Sequence, residues 1–592
     1  MYQTTQPSSI LSRTTATAAA AALLAAVALV AGPLAERANA AHTVSVANES
    51  EYRDAITAIN GDCGTETHTI EITASFDFDI AVETSTSEYT CEADLHIKGA
   101  GDDIVITAGE GVGPMPEASL GFVNSTHANA FVILEDLHLS GFAQISGGAV
   151  LAEGGIEALG SEFSGNFAGD SGGALASNGN VYVESSVFTD NEADNGGALA
   201  STNGTVYVDG TELVGNHAVL QGGAINANGG VSAIDSTFEM NTADFGGGAF
   251  YTAADSVIVN ATFVGNTATT EGGAIASENA SLTILHSTFV DNDAMMSNSI
   301  LITNDGGDPV LEQGSNVFVG GAGAEQCAVE MVESYTGYAD DDSCFTDAAE
   351  NNIEDGDEPM LEALAYNGGM VRSMRPAQGS PLIDAVSGDF CGTGYSESDV
   401  RDVVRAQGAA CDIGAVEVFT TFPDVSDTDP THPFMVEISW MAATGLGEGY
   451  DDGTYRPSAP VTRQATQAFV YRMSGEPAFE PPATPTFPDV PTDHPFYLEI
   501  EWAAAEGITE GYDDGTFRPT NAVSRQAMAA FLIRLEGEDA YEAPETATFP
   551  DVPTDHPFYA VGEAATGQGM HGPGKNISSA YAAAVNIVEP GE

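Results

Sequence analysis

The sequence predicts an all-β, right-handed parallel β-helix solenoid over most of its length, followed by a small all-α tail. Three observations carry that prediction. A Gly-Gly-Ala step begins at Gly147, Gly172, Gly196, Gly222, Gly247 and Gly272, at intervals of 25, 24, 26, 25 and 25 residues. A Phe or Leu stands three places before an Asn at Phe163/Asn166, Phe188/Asn191, Leu213/Asn216, Phe238/Asn241, Phe263/Asn266 and Phe289/Asn292. Beyond residue 420 a different unit recurs, marked by Trp440 and Trp502, 62 residues apart. Two registers at one fixed period mark a solenoid.

The strand character comes from the pattern inside one period. Val181 and Val183 flank Tyr182, Phe188 lies further along, and a polar corner follows; Val206/Val208 and Leu282/Ile284 repeat the spaced pair. Alternation with period two reads as strand, and no window sustains the 3.6-residue stripe that helical repeats need. The Phe or Leu is expected to stack coil on coil at about 4.8 Å. Each Asn is expected to occupy the left-handed region at a corner and bond its neighbour's backbone as a ladder. The competing reading of the Asn row is sugar or calcium binding. The paired glycines permit tight turns or close backbone passage. Thr69–Thr73, Ile104–Ile106 and Phe131–Leu139 predict earlier coils, and Ala41 to Gly61 the cap that a solenoid end requires. The G-G-A and F-x-x-N pattern resembles the repeat of chlamydial polymorphic outer-membrane proteins and the wider pectate-lyase-like β-helix family. The solenoid is placed at residues 41–345.

Residues 1–40 read as an export signal. Arg13 precedes an apolar run from Ala16 to Ala31, a Gly32-Pro33 break and the small triplet Ala38-Asn39-Ala40. No later segment is apolar enough to span a bilayer, so no transmembrane anchor is expected. Export permits disulfides among Cys63, Cys91, Cys327, Cys344, Cys391 and Cys411. Six cysteines allow about 15 pairings, of which the sequential one is the simplest. No C-x-x-C spacing points to zinc or redox chemistry.

Residues 346–420 lose the strict period. Asn367-Gly368-Gly369, Gly379-Ser380-Pro381-Leu382-Ile383-Asp384-Ala385, Arg401, Arg405 and Cys411-Asp412-Ile413-Gly414-Ala415-Val416-Glu417 stand out. The segment looks like the closing part of bacterial surface β-helix proteins with varied C-terminal anchors. That resemblance implies a cap on the last coil, stapled by Cys391 and Cys411.

The tail divides into units at 421–475, 487–537 and a degenerate third at 548–592. Phe422-Pro423-Asp424-Val425 recurs at Phe487 and Phe549, and Gly449-Tyr450-Asp451-Asp452-Gly453-Thr454-Tyr455-Arg456-Pro457 recurs at Gly511–Pro519. Each full copy reads helix, loop, helix, with Thr462 and Ser524 as N-caps of the second helix. The units resemble the S-layer homology module. The resemblance implies three lobes packed as a pseudo-trimer that attach exported proteins to secondary cell-wall polysaccharide. It makes Arg463 and Arg525 candidate ligands for an acidic sugar, with Trp440, Gln464, Trp502 and Gln526 as candidate neighbours. A fixed guanidinium suits a carboxylate. The family glutamate of the helix start is replaced by Ala465 and Ala527. The third copy has no tryptophan, no Asp-Asp-Gly and no Thr-Arg, so two sites are expected rather than three.

Charge bounds the partners. Of 592 residues, 87 are Asp or Glu and 15 Lys or Arg, for a net charge of -72. This excludes a nucleic-acid partner, which needs a cationic track, and opposes docking on anionic lipid. Between Lys98 and Arg372 there is no Lys or Arg. The coils therefore offer no cationic base for lyase chemistry. No cofactor is required by any motif, and calcium is a candidate ligand of the acidic surface. The expected function is a non-enzymatic, cell-wall-anchored surface protein that adheres to other surface glycans or cells. The alternative is a wall-attached hydrolase using paired carboxylates.

Overall fold

In a computed structural model of the chain, the described residues are 42–536, apart from 65, 79–87, 102–103, 109–120, 304–308, 322–324, 330–331, 335–336, 340–341, 345–357, 378, 387–390, 392–397, 402, 404, 406–409, 419–421, 423, 426–437, 439–440, 442–445, 448, 451 and 513. The export signal at 1–40 and the third tail copy lie outside them. The chain divides into two units after Val418.

Among the described residues, the first unit is a parallel β-solenoid with four sheets. Sheet I has twelve strands, from His42–Val46 to Val332–Ser334; sheet II has eleven, from Phe76–Phe78 to Tyr338–Ala339. Sheet III has ten, from Glu88–Tyr89 to Cys327–Ala328, and sheet IV has six, from Ala143–Ser146 to Thr267–Ala268. One coil runs through Val181–Glu184 in sheet I, Val187–Thr189 in II, Glu192–Asn195 in IV and Leu199–Ser201 in III. Each strand pairs in parallel with its counterpart one coil on: Val181 opposes Val206, Phe188 opposes Leu213, and Leu199 opposes Ile225.

The alternating residues point as the pattern requires. Val181, Phe188 and Leu199 are fully buried in one continuous core. Stacked rings run up the inside of sheet II: Phe238–Phe263 at 4.6 Å, Phe263–Phe289 at 4.5 Å and Phe289–Phe318 at 4.8 Å. These separations match the strand spacing, so ring stacking and the strand ladder reinforce one another. Helix α1 (Glu49–Gly61) supplies the cap at the first coils. Asn48 caps it by accepting from the Glu51 N–H, and Tyr52, Ile56 and Ile59 enter the core, with Tyr52 stacked on Phe122 at 4.8 Å.

The corners differ from the sequence expectation in one respect. The repeated asparagines do not adopt the left-handed conformation. The residue before each does: Gly165, Asp190, Gly215, Met240, Gly265 and Asp291 have φ of 58, 53, 65, 52, 64 and 53°. That bend turns the following Asn side chain into the protein, where all six are buried. Asn216 Oδ1 accepts from the backbone N–H (3.0 Å) and Nδ2 (2.9 Å) of Asn191. Asn216 Nδ2 donates to Phe188 O (3.0 Å) and to Asn241 Oδ1 (2.9 Å). The row is a ladder, and burial closes it to sugar or calcium. At the opposite corner Gly222 has φ 69°, and a Cβ on Gly223 would collide with the Gly248 carbonyl oxygen of the next coil. Both glycines are therefore sterically required.

The closing segment is the second correction. It lies along the outer face of sheet II, over several coils, instead of over the end of the last one. The Arg372 N–H donates to Glu212 at 2.7 Å, and its guanidinium pairs with Glu212 at 3.1 Å and Glu239 at 2.7 Å. Arg405 donates to Asn260 Oδ1 at 2.7 Å, and Ala415 N–H to Thr288 Oγ1 at 3.1 Å. Gly414 N–H donates to Ser315 O at 2.8 Å. Val317 and Tyr338 share an apolar cluster with Leu382, Val386 and Ile413. The outward side chains of sheet II at these coils are Thr, Val and Glu, which bury and bond readily, so the flank offers a better seat than a bare coil end. Cysteines pair sequentially as Cys63–Cys91, Cys327–Cys344 and Cys391–Cys411.

Among the described residues of this strap, three carboxylates (Asp399, Asp412 and Glu417) and three guanidiniums (Arg375, Arg401 and Arg405) are buried. Arg401 pairs with Asp399, and Arg405 with Glu417 at 3.4 Å. Asp412 accepts from the Asp384 N–H at 2.7 Å and from the Val418 N–H. Burial, then the Glu417 charge, pushes the Asp412 carboxyl up to about 8. The native state therefore keeps a proton that the unfolded chain releases near about pH 4. The stabilisation is complete below that pH and is lost progressively as pH rises to about 8. Limited proteolysis of the strap should accelerate over that range, and Asp412→Asn should flatten the dependence. Protection that increases with pH would contradict this.

The second unit contains helices α2 (Arg463–Met473), α3 (Tyr497–Ala505) and α4 (Arg525–Glu536). The Thr462 hydroxyl caps α2 through the Ala465 N–H. Val470 and Tyr471 from α2 pack with Trp502 and Ala503 from α3, and with Phe531 from α4. The repeated motifs hold the turns. Asp424 accepts from the Tyr455 and Arg456 N–H groups at 2.8 and 2.7 Å, as Asp489 does from Phe517 and Arg518. Gly449 and Gly511, at φ 69 and 75°, lie against the Phe422 and Phe487 rings, where a side chain would not fit.

Candidate functional site

The sequence candidates separate sharply in the structure. Arg463 opens α2, and the chain beside it interlocks with the second copy. Arg463 N–H donates to Asn521 O and Gln464 N–H to Pro519 O, both at 2.9 Å, while Thr462 bridges Ala522. This drives the Arg463 side chain into the second copy, where it is 7% exposed. Nε donates to Phe517 O at 2.8 Å, and Nη2 approaches Thr509 Oγ1 at 3.5 Å. The guanidinium carbon lies 4.9, 4.6 and 5.5 Å from the ring centroids of Tyr512, Phe517 and Phe531. Among the described residues no carboxylate pairs with it. Burial pulls its pKa down, and the more distant charges of Tyr512 and Asp489 oppose that without reversing it.

One turn further along α2, Gln467 is fully buried, and neither its oxygen nor its nitrogen has a hydrogen-bond partner among the described residues. Positions four apart share a helix face. Gln467 carried no signal of its own in the sequence, since the second copy has Ala529 there. The aromatic cradle was foreshadowed: Tyr512 and Phe517 belong to the repeated Gly511–Pro519 motif. The copy-two motif thus builds the seat for the copy-one arginine.

The other candidates fare differently. Trp502 is a core residue, edge-on to Tyr471 at 5.1 Å and 68°, so its ring faces are not offered to a sugar. It was a candidate neighbour of the ligand; its place on the inner face of α3 puts it in the core. Gln464 is half-buried and Gln526 exposed. Arg525 begins α4, with its side chain outside the described residues, as is Trp440. Arg456 and Arg518 are already engaged. Each sits 3.9 Å over Tyr450 or Tyr512 and pairs with Asp452 or Asp514 at 2.7 or 2.8 Å.

On the solenoid, the exposed acids Asp190 and Asp291 are left-handed corner residues. His286 is also a corner residue, at φ 48°, and is buried. Linear absence of cations was a poor guide to the coil surface, because the strap brings Arg372 onto sheet II. That arginine is saturated by Glu212 and Glu239. Burial and the Glu278 charge raise the Glu271 carboxyl. Glu278 is itself bonded by the Tyr251 hydroxyl. Among the described residues no group of three or more His, Cys, Asp or Glu is arranged to hold a metal ion.

Comparison with known proteins bears on both units. The S-layer homology domain model matches residues 426–466 and 486–529. The tail thus carries S-layer homology modules over these two stretches. The model of the Chlamydia polymorphic membrane protein repeat matches residues 260–278, one coil of the solenoid. Cell surface glycoprotein 1 of Acetivibrio thermocellus is 32% identical over 178 residues, 28% of this chain and 8% of that protein. A cell surface protein of Thermoanaerobacter kivui is 29% identical over 121 residues, 20% of this chain and 16% of that protein. The chain thus spans less than a fifth of either relative. It is a β-solenoid with C-terminal S-layer homology modules, resembling surface-layer proteins. Among the described residues no helix is long and apolar enough to cross a membrane.

Proposed function

We propose that this is a non-enzymatic surface protein attached to the cell wall through its S-layer homology modules, with Arg463 receiving an anionic group of a wall polysaccharide. The observation that carries the reading is the buried guanidinium without a carboxylate partner among the described residues, in a chain of net charge -72. Acids are abundant, yet none of those described occupies that seat. An anionic sugar would supply the missing charge, and the partnerless Gln467 amide supports a polar ligand on the same face. The solenoid then serves as the displayed part, facing other surface glycans or cells.

One cradle, rather than two sites, is the revised expectation. Residues 548–592 contain no counterpart of Tyr512 or Phe517 to seat Arg525 as Arg463 is seated. The experiment is co-sedimentation of the full chain with purified wall sacculi, carrying or stripped of their attached polymer. Retention on complete sacculi and release from stripped ones is expected. Equal retention, or failure on both, would reject polymer attachment. A hydrolase reading is tested on the same preparation by reducing-end release from neutral polysaccharides; turnover lost on Glu271→Gln would establish it.

A further inference from the structure

Sheet IV carries an outer row that the surface role does not explain. Leu220, Phe245, Thr270 and Met296 occupy the same place in four successive coils. The Phe245 N–H donates to Leu220 O, the Thr270 N–H to Phe245 O, and the Met296 N–H to Thr270 O, at 3.0, 3.0 and 2.9 Å. Leu220, Phe245 and Met296 are 48, 43 and 52% exposed, and Val219 and Met295 widen the strip. Beneath it the buried Ala218, Ala243, Ala268 and Ala294 fix the backbone. Acids border it: Asp244 is exposed on one side and Glu271 is half-buried on the other. In the two preceding coils the corresponding place is held by Asp170 and Asp194.

We propose that this row is a docking strip for a cationic amphipathic helix. The charge argument selects the partner. No Lys or Arg occurs between Lys98 and Arg372, and Arg372 lies on sheet II, so the strip's border is acidic alone. A second copy of this chain, or an anionic lipid surface, would bring like charge to that border. A neutral glycan would find Leu, Met and Phe where it needs donors and acceptors. The spacing selects the conformation. Successive coils rise by about 4.8 Å, close to the roughly 5.4 Å pitch of an α-helix. Apolar residues at i, i+3 or i+4, and i+7 would therefore meet Leu220, Phe245 and the Thr270–Met296 end in turn. Lysines on their flanks would face the bordering acids.

The test uses the full chain and a labelled Leu/Lys amphipathic peptide of about four helical turns, followed by fluorescence anisotropy. A scrambled isomer of identical composition and charge is the comparison. The amphipathic peptide should bind at least about tenfold more tightly than the isomer, and Leu220→Ser/Phe245→Ser/Met296→Ser should remove that margin. The triple variant should keep its circular dichroism and its retention on wall sacculi, which separates this result from the attachment reading. Equal binding of the isomer, or unchanged affinity of the variant, would overturn the proposal by reducing it to bulk charge. Sedimentation showing that the unliganded protein self-associates through this row, and the variant does not, would also overturn it in favour of a second copy.

Discussion

Asn216→Ala should destabilise the solenoid by roughly 3–5 kcal/mol, given about 1–3 kcal/mol for each buried polar group left without a partner. The side chain holds four groups. Its loss takes the acceptor from the Asn191 N–H, a donor from Phe188 O, and one of the partners of Asn191 Nδ2 and of Asn241 Oδ1. All of this lies where water does not reach. The effect should be local, because coils of a solenoid contact only their neighbours. Asn203→Ala is the control: that asparagine is exposed at the corner between sheets III and I. It should shift stability by no more than about 0.5 kcal/mol. Urea unfolding of both variants decides the matter. A loss below about 1 kcal/mol for Asn216→Ala would mean the ladder contributes little beyond one ordinary hydrogen bond.

The second large effect is on attachment. Arg463→Gln should weaken binding to wall polymer at least about tenfold, since a hydrogen bond to a charged group contributes about 1.5–3 kcal/mol. Arg463→Lys should recover part of that loss, because it keeps the charge but not the planar fork. Arg525→Gln should have the smaller effect, because the sequence of the third copy lacks the motif that supplies Tyr512 and Phe517 in the second. Arg463 also ties the two copies together through Phe517 O, so thermal melting must accompany each binding curve. A variant that melts normally and binds normally would remove Arg463 from the site. One that melts early while Arg463→Lys binds fully would assign it to the fold instead.

The solenoid was legible because its physics repeats. One wrong residue choice cannot hide a 25-residue period when six coils carry it, and the inward Phe and Val positions followed directly. What stayed hidden lacked repetition or depended on distance in space. The left-handed residue before each Asn alternates among Gly, Asp and Met, so it shows no single-letter signal. A second corner ladder, in which Ser161, Ser186 and Thr211 accept or donate between coils, is diluted by Ala261 at its fifth rung. The strap's course along sheet II depends on pairs such as Arg372 with Glu212, separated by 160 residues. In the tail, the arginine was legible and its surroundings were not, because the cradle belongs to the other copy.

The strap has a consequence for how such a chain can change over generations. A stack of near-identical coils invites gain or loss of whole units by recombination between repeats, and each event would preserve the core and both corner ladders. The strap removes that freedom where it is moored. Its anchors fall on Glu212, Glu239, Asn260, Thr288 and Ser315. Adding or deleting a coil among them would throw every later anchor out of step by one rung. Coils before Glu212 carry no such mooring at these five points. Copy-number variation should therefore accumulate among the N-terminal coils, with the strapped block retained as a fixed count.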